Sequence, residues 1–153
     1  MRAIAVLGLV VVIAVALFFG LHPVTPARTF DDYSLKAKDT AESVLSSVET
    51  ARLASRVGSD GRAFGPYVSV LLSEADQGIG SAQSVFESIQ PPDRHADVVR
   101  ARLNRLLNRA SDRVSRLRIA ARRGEIDTLE RRAEPLQAIA RRLNAFIEAM
   151  TDA

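Results

Sequence analysis

The chain has 153 residues, with 21 Lys and Arg against 18 Asp and Glu and a formal net charge of +3. It contains no Cys, which excludes disulfides, thiol chemistry and a lipid-modified N-terminal Cys. About 125 residues remain after the apolar N-terminal segment, enough for one domain with its own hydrophobic core.

The N-terminal segment has no charged or strongly polar side chain from Ala3 to Leu21. As a helix it would reach roughly 28 Å, close to the ~30 Å hydrocarbon core of a bilayer. It is longer than the apolar region of a typical cleaved signal peptide, which has roughly 7–15 residues. The run predicts a transmembrane signal anchor over residues 1–21. The alternative is a signal peptide that is cut after Ala27.

Membrane orientation depends on the charges that flank this segment. Arg2 and the chain's amine precede it, whereas Arg28, Lys36 and Lys38 follow it, so the positive-inside rule does not favour an external domain. A two-residue tail before an apolar run nevertheless resembles a secretory N-terminus, and the Ala- and Arg-rich composition indicates a high-GC bacterial genome. We expect a single-pass protein of the bacterial plasma membrane, with residues 22–30 as a linker and the C-terminal domain outside. The inverted orientation is the alternative.

Four amphipathic segments follow, separated by clusters of Gly and Pro. Their spacing predicts helices over about residues 31–57, 66–89, 92–123 and 125–151. Thr29 and Asp32 fit an N-terminal cap of the first helix. Gly58 and Gly124 fit the ends of the first and the third.

Each predicted helix has one apolar face, defined by residues spaced three and four apart. The first presents mainly small residues, which predict a close neighbour: Ala37, Ala41, Val44, Val48 and Ala51. The second presents Val68, Leu71, Ala75, Ile79, Ala82, Phe86 and Ile89. The third presents Val99, Leu103, Leu106, Ala110, Val114, Leu117 and Ala121. The fourth has a coiled-coil-like seam of Ile126, Leu129, Ala133, Leu136, Ala140, Leu143, Ile147 and Met150.

Three residues interrupt these helices. Gly78 and Gly80 lie inside the second, and Pro135 lies inside the fourth. Each Gly costs roughly 1 kcal/mol relative to Ala in a helix interior. We interpret the two glycines as sites of close helix packing or of a kink, with a hinge beside a ligand cleft as the alternative. Pro135 predicts a kink.

Four amphipathic helices with short connections fold most simply as an antiparallel four-helix bundle, so we predict an all-α domain over residues 31–153. The chain has an N-terminal anchor, two helices, a Pro91-Pro92 turn, and an Arg/Ala/Leu-rich hairpin broken by Gly124. This order resembles small exported, membrane-anchored helical-bundle proteins of unknown function that are common in actinobacteria. The resemblance implies an exported bundle and transfers no catalytic motif.

Arginine is concentrated in the predicted third helix. From Asp93 to Arg123 the sequence has ten Arg against three Asp. The arginines that lie opposite or beside the apolar face are Arg94, Arg102, Arg105, Arg109, Arg113, Arg116 and Arg123. The pattern favours a solvated face whose arginines pair with acids on neighbouring helices, such as Glu125, Asp127, Glu130 and Glu134. The alternative is a surface for anionic lipid, a polyanion or a partner protein.

No arrangement of residues specifies a reaction. The sequence has no recognisable nucleophile elbow, phosphate-binding loop or paired-carboxylate pocket, so we expect no enzyme. His95 lies between Asp93 and Asp97 and fits a helix start better than a metal site. We expect no metal and no cofactor. Aromatic residues do not interleave with the arginines, which disfavours nucleic acid as a partner.

Two classes of function follow from these observations. The first is an interaction module, in which a membrane-anchored extracytoplasmic bundle contacts another envelope protein. The second is a sensor or ligand-binding bundle that acts through a partner. Binding of anionic lipid or another polyanion by the Arg-rich third helix is a further alternative.

Overall fold

A computed structural model describes residues 29–151, which form four α-helices and one short 3₁₀ turn. The helices are α1 (Phe30–Ser59), α2 (Gly65–Glu87), α3 (Arg94–Arg122) and α4 (Leu129–Thr151). The 3₁₀ turn, Ile126–Thr128, precedes α4. No strand occurs between residues 29 and 151. The prediction of an all-α domain of four packed helices is confirmed.

The predicted signal anchor and most of the predicted linker lie outside the residues that the structure describes. Within residues 29–151, no helix is both long enough and apolar enough to cross a bilayer. The anchor, its orientation and its cleavage therefore stay predictions.

The helix ends are set by side-chain caps and by a glycine. Thr29 Oγ1 accepts a hydrogen bond from the Asp32 amide at 3.2 Å, which confirms the predicted cap of α1. Asp93 Oδ1 accepts one from the Ala96 amide at 2.9 Å, so α3 begins two residues later than predicted. Gly124 follows α3 with φ of +77°, a left-handed conformation that favours Gly.

The start of α4 differs from the predicted helix start at residue 125. A 3₁₀ turn occupies Ile126–Thr128, and α4 begins only at Leu129. Ser59, the last residue of α1, ties this junction to the bundle. Its hydroxyl donates to the Ile126 carbonyl at 3.0 Å and accepts from the Glu130 amide at 3.0 Å. Farther along, Pro135 lies inside α4 and does not end it.

Contacts between the helices show that neighbours run antiparallel. The contacts are Tyr33 with Phe86 between α1 and α2, Asp76 with Arg118 and Gln83 with Asn108 between α2 and α3, and Arg102 with Phe146 between α3 and α4. For α1 with α2 and for α3 with α4, an early residue of one helix contacts a late residue of the next. For α2 with α3, the residue number rises from Asp76 to Gln83 while that of the partner falls from Arg118 to Asn108. The bond between Ser59 and Glu130 joins the end of α1 to the start of α4. The order is therefore up, down, up, down.

The predicted apolar faces of α1 and α3 are confirmed, because every residue predicted for them is buried. The α1 face consists of Ala and Val, and it allows a close approach by α2. A Cβ added at Gly78 would lie 2.8 Å from Ser47 Oγ of α1. Close packing at Gly78 is thus confirmed. At Gly80 an added Cβ would meet no atom within 4 Å, so close packing there is wrong.

The buried faces of α2 and α4 include most of the predicted residues but are wider than predicted. On α2, Leu72 is fully buried whereas Leu71 is only half-buried. On α4, Phe146 is fully buried whereas Ile147 and Met150 are half-buried. The reason is that each helix packs against more than one neighbour, so its buried face is wider than a single seam. On α4 the wider face adds Phe146, which contacts Arg102 of α3.

Candidate functional site

All seven arginines that the sequence singled out on α3 are exposed. The helix buries an apolar face that runs from Ala96 to Ala121, and this burial turns the charged positions to solvent. These seven residues form what we call the arginine face: Arg94, Arg102, Arg105, Arg109, Arg113, Arg116 and Arg123. Arg94 and Arg123 lie at opposite ends of α3, so the structure does not bring all seven together.

The arginine face has little internal charge compensation. Only Arg116 forms an ion pair within residues 29–151, with Asp112 one turn earlier at 3.0 Å. Two of the acids expected to neutralise the face have other partners: Glu130 lies 3.6 Å from Arg56, and Glu125 pairs with Arg132. The solvated face is therefore as expected, whereas the expected ion pairs with acids of neighbouring helices do not form within residues 29–151.

Four of these arginines repel one another. Arg102, Arg105, Arg109 and Arg113 succeed each other at intervals of three or four residues. Each such like-charge pair destabilises a helix by about 0.2–0.5 kcal/mol, so the three successive pairs cost about 1 kcal/mol together. The acid nearest in spacing is Asp112, which already pairs with Arg116. An anion bound among the four arginines would remove this repulsion.

Part of the arginine face borders a groove between α3 and α4. The groove has a volume of about 210 Å³ and is lined by Arg102, Arg105, Leu106, Arg109, Arg142 and Ala145. Leu106 is almost completely buried and provides an apolar floor. Ala145 leaves space beside it because its side chain is small. No acidic residue belongs to the lining of this α3–α4 groove.

Arg142 of α4 completes the cationic wall of the groove, and Phe146 of the same helix contacts Arg102. The Phe146 ring is fully buried, and its centre lies 5.5 Å from the guanidinium carbon of Arg102, a cation–π contact. Arg142 lies one turn before Phe146, on the same side of α4. Arg142 is exposed and forms no ion pair within residues 29–151. The groove thus joins three guanidinium groups of α3 to one of α4.

Sequence reasoning missed Arg142 because the predicted seam of α4 ran through Ile147. The available signal was Phe146, the one aromatic residue of the predicted fourth helix. Placing that aromatic side chain in the core would have put Arg142, four residues earlier, on the same side of α4.

Tyr33 and His95, two further titratable groups, do not line the groove. Tyr33 is fully buried, and burial raises the pKa of its hydroxyl; Arg100 opposes the rise and Asp97 adds to it. Its oxygen has no hydrogen-bond partner in the described part of the chain. His95 is exposed and meets the Phe30 ring edge-on at 6.3 Å between centroids. Within residues 29–151, no three His, Asp or Glu side chains are grouped as metal ligands would be.

No protein family, curated protein or solved structure matches this chain. The arginine face and the α3–α4 groove are therefore the features from which a function can be inferred.

Proposed function

We propose that this protein is a membrane-anchored interaction module, whose arginine face binds an acidic envelope protein outside the plasma membrane. The observation that carries the proposal is the uncompensated charge of α3. Six of the seven exposed arginines of that face form no ion pair within residues 29–151. Such a surface attracts anionic partners and accelerates their association. The apolar run Ala3–Leu21 supports the membrane anchor.

The length of the arginine face favours an extended partner. α3 has 29 residues, which corresponds to about 44 Å of helix, and its terminal arginines mark both ends. An acidic protein surface can cover that length, whereas a small molecule cannot. A continuous anionic lipid surface can also cover that length, and binding to phosphatidylglycerol vesicles tests that alternative.

The binding surface can be tested by neutralising arginines outside the groove. The test variant is Arg113→Gln/Arg123→Gln, and the matched control is Arg131→Gln/Arg141→Gln on α4, which removes the same charge from other exposed positions. The full chain, in nonionic detergent, is bound to immobilised poly-L-glutamate and eluted with sodium chloride. We expect the test variant to elute at clearly lower salt than the wild type, with a smaller shift for the control.

Equal shifts in the two variants would overturn the proposal, because binding would then follow net charge and not the arginine face. Phosphatidylglycerol vesicles in place of poly-L-glutamate test the lipid alternative. Tighter, face-dependent binding to the vesicles than to the polymer would replace the protein partner by a lipid surface.

The proposed location has its own test. Alkaline phosphatase or green fluorescent protein is fused after Ala153, and activity is measured in membrane and medium fractions. We expect phosphatase activity in the membrane fraction. Bright fluorescence would place the domain in the cytoplasm, and phosphatase activity in the medium would mean that the chain is cut after Ala27.

A further inference from the structure

We propose that the α3–α4 groove binds a phosphoryl group carrying two or more negative charges, as in diphosphate or a phosphate monoester. This inference shares Arg102, Arg105 and Arg109 with the proposed function. It differs in requiring Arg142, which lies on α4 and outside the arginine face. A site formed by two helices can select a ligand that a single exposed helix face cannot.

The charge of the groove favours a ligand with more than one negative charge. Four guanidinium groups line it, and no acid does. Each guanidinium presents donors in a planar fork that matches carboxylate or phosphate oxygens in pairs. One carboxylate has two oxygens and one charge, so it can occupy only part of this donor set. A phosphoryl group has three oxygens that can face different arginines, and a diphosphate has more.

Before a ligand arrives, the Arg102 guanidinium is restrained and the backbones that carry the other donors are fixed. Arg102 lies over the buried Phe146 ring, which restrains its guanidinium. Arg142 comes from the same side of α4 one turn earlier, and both helices are packed into the core through Leu103 and Leu143. Donors on packed helices lose less conformational freedom on binding than donors on loops, which strengthens binding of a matching anion.

The groove also has an apolar part, formed by Leu106 and Ala145. Because an apolar surface adjoins the four arginines, the groove can hold a phosphate ester, whose carbon portion contacts the apolar part. It can equally hold a free phosphate, which contacts the arginines alone. The shared chemistry is the phosphoryl anion, and it has two sources: a soluble phosphate compound or the headgroup of a phospholipid. The length of the attached carbon chain separates them experimentally.

The test compares two adjacent arginines of α4. The full chain in nonionic detergent at low ionic strength is titrated with inorganic diphosphate by calorimetry. Arg142→Gln removes a groove residue, and Arg141→Gln removes the same charge next to it outside the groove. Loss of charge-assisted hydrogen bonds should weaken binding about tenfold or more in Arg142→Gln. Arg141→Gln should bind almost as the wild type does. Melting temperatures establish that both variants fold.

Further arms test the chemistry of the ligand. Arg142→Lys keeps the charge but loses the fork, so it should bind more weakly than the wild type and more tightly than Arg142→Gln. Succinate, a dianion without phosphorus, should bind more weakly than diphosphate. Tighter binding of dibutyryl phosphatidic acid than of glycerol 3-phosphate would assign a lipid headgroup. Equal binding of the two would assign a soluble phosphate compound.

The proposal is overturned if diphosphate does not bind, if the two Gln variants lose affinity equally, or if succinate binds as tightly as diphosphate. Its failure is separable from that of the proposed function. Retention on poly-L-glutamate that depends on Arg113 and Arg123, without diphosphate binding, would remove the groove site alone. Diphosphate binding that depends on Arg142, without such retention, would remove the proposed function alone.

Discussion

Replacing each of the two glycines of α2 by Ala should have different effects, because their surroundings differ. At Gly80 an added Cβ would meet no atom within 4 Å. Ala is more favourable than Gly in a helix interior by about 1 kcal/mol. Gly80→Ala is therefore expected to raise the free energy of unfolding by about that amount.

At Gly78 the same gain is opposed by a contact with α1. An added Cβ would lie 2.8 Å from Ser47 Oγ, so the two atoms cannot both stay in place. That hydroxyl donates to the Ser43 carbonyl at 3.2 Å, and rotating it away loses a bond worth about 0.5–1.5 kcal/mol. The two effects are of similar size, so Gly78→Ala should leave the free energy of unfolding close to that of the wild type.

Urea unfolding of the full chain in nonionic detergent, followed by circular dichroism, measures these differences. The decisive comparison uses Ser47→Ala as the background. In that background, Gly78→Ala should stabilise by about 1 kcal/mol, as Gly80→Ala does in the wild type. Equal stabilisation by both Ala variants in the presence of Ser47 would refute the close approach of α1 and α2 at this level.

Three other substitutions test the core, a buried hydroxyl and a cap, and a fourth, Arg109→Ala, is the control for the core. Leu143 is fully buried, so Leu143→Ala should lower the free energy of unfolding in urea by about 2–5 kcal/mol. Arg109→Ala, at an exposed position, should lower it little. Equal losses in the two variants would mean that the helical register is wrong. Burial raises the pKa of Tyr33 above its ordinary value of 10.0, so the folded state keeps the proton at pH values where the unfolded state has lost it. Its stabilising contribution is then present below about pH 10 and falls as the pH rises further. In unfolding curves measured over a series of pH values, Tyr33→Phe should reduce that fall in stability. An unchanged pH dependence would contradict this assignment to Tyr33. Asp93 caps α3, and Asp93→Ala should lower the melting temperature by an amount equivalent to about 1 kcal/mol; an unchanged melting temperature would speak against the cap.

The faces of α1 and α3 could be predicted because their sequences leave one arrangement. On α3 the apolar positions from Val99 to Ala121 are flanked by arginines, so only one side can be buried. α4 offers two arrangements, since a seam through Ile147 and one through Phe146 both fit helical spacing. Its contacts with both α1 and α3 decide between them, and those depend on the assembled fold.

The candidate site, like the helix faces, could be predicted only in part. The exposure of the α3 arginines follows from a helical wheel, but the addition of Arg142 depends on how α3 and α4 pack. The predicted pairing of Glu125 with α3 was wrong for a local reason. The 3₁₀ turn after Glu125 places this carboxylate next to Arg132, seven residues later. A short turn that the apolar pattern did not reveal thus gives Glu125 a partner in α4.

The Glu130 amide donates a hydrogen bond to the Ser59 hydroxyl, so exchange of its proton reports how α1 and α4 separate at this end of the bundle. The Glu130 amide lies in the first turn of α4, where no carbonyl of the same helix can accept its proton. Its acceptor is a residue 71 positions earlier in the chain. Hydrogen exchange at Glu130 therefore follows the separation of α1 from α4, whereas amides deeper in α4 follow the unwinding of that helix itself.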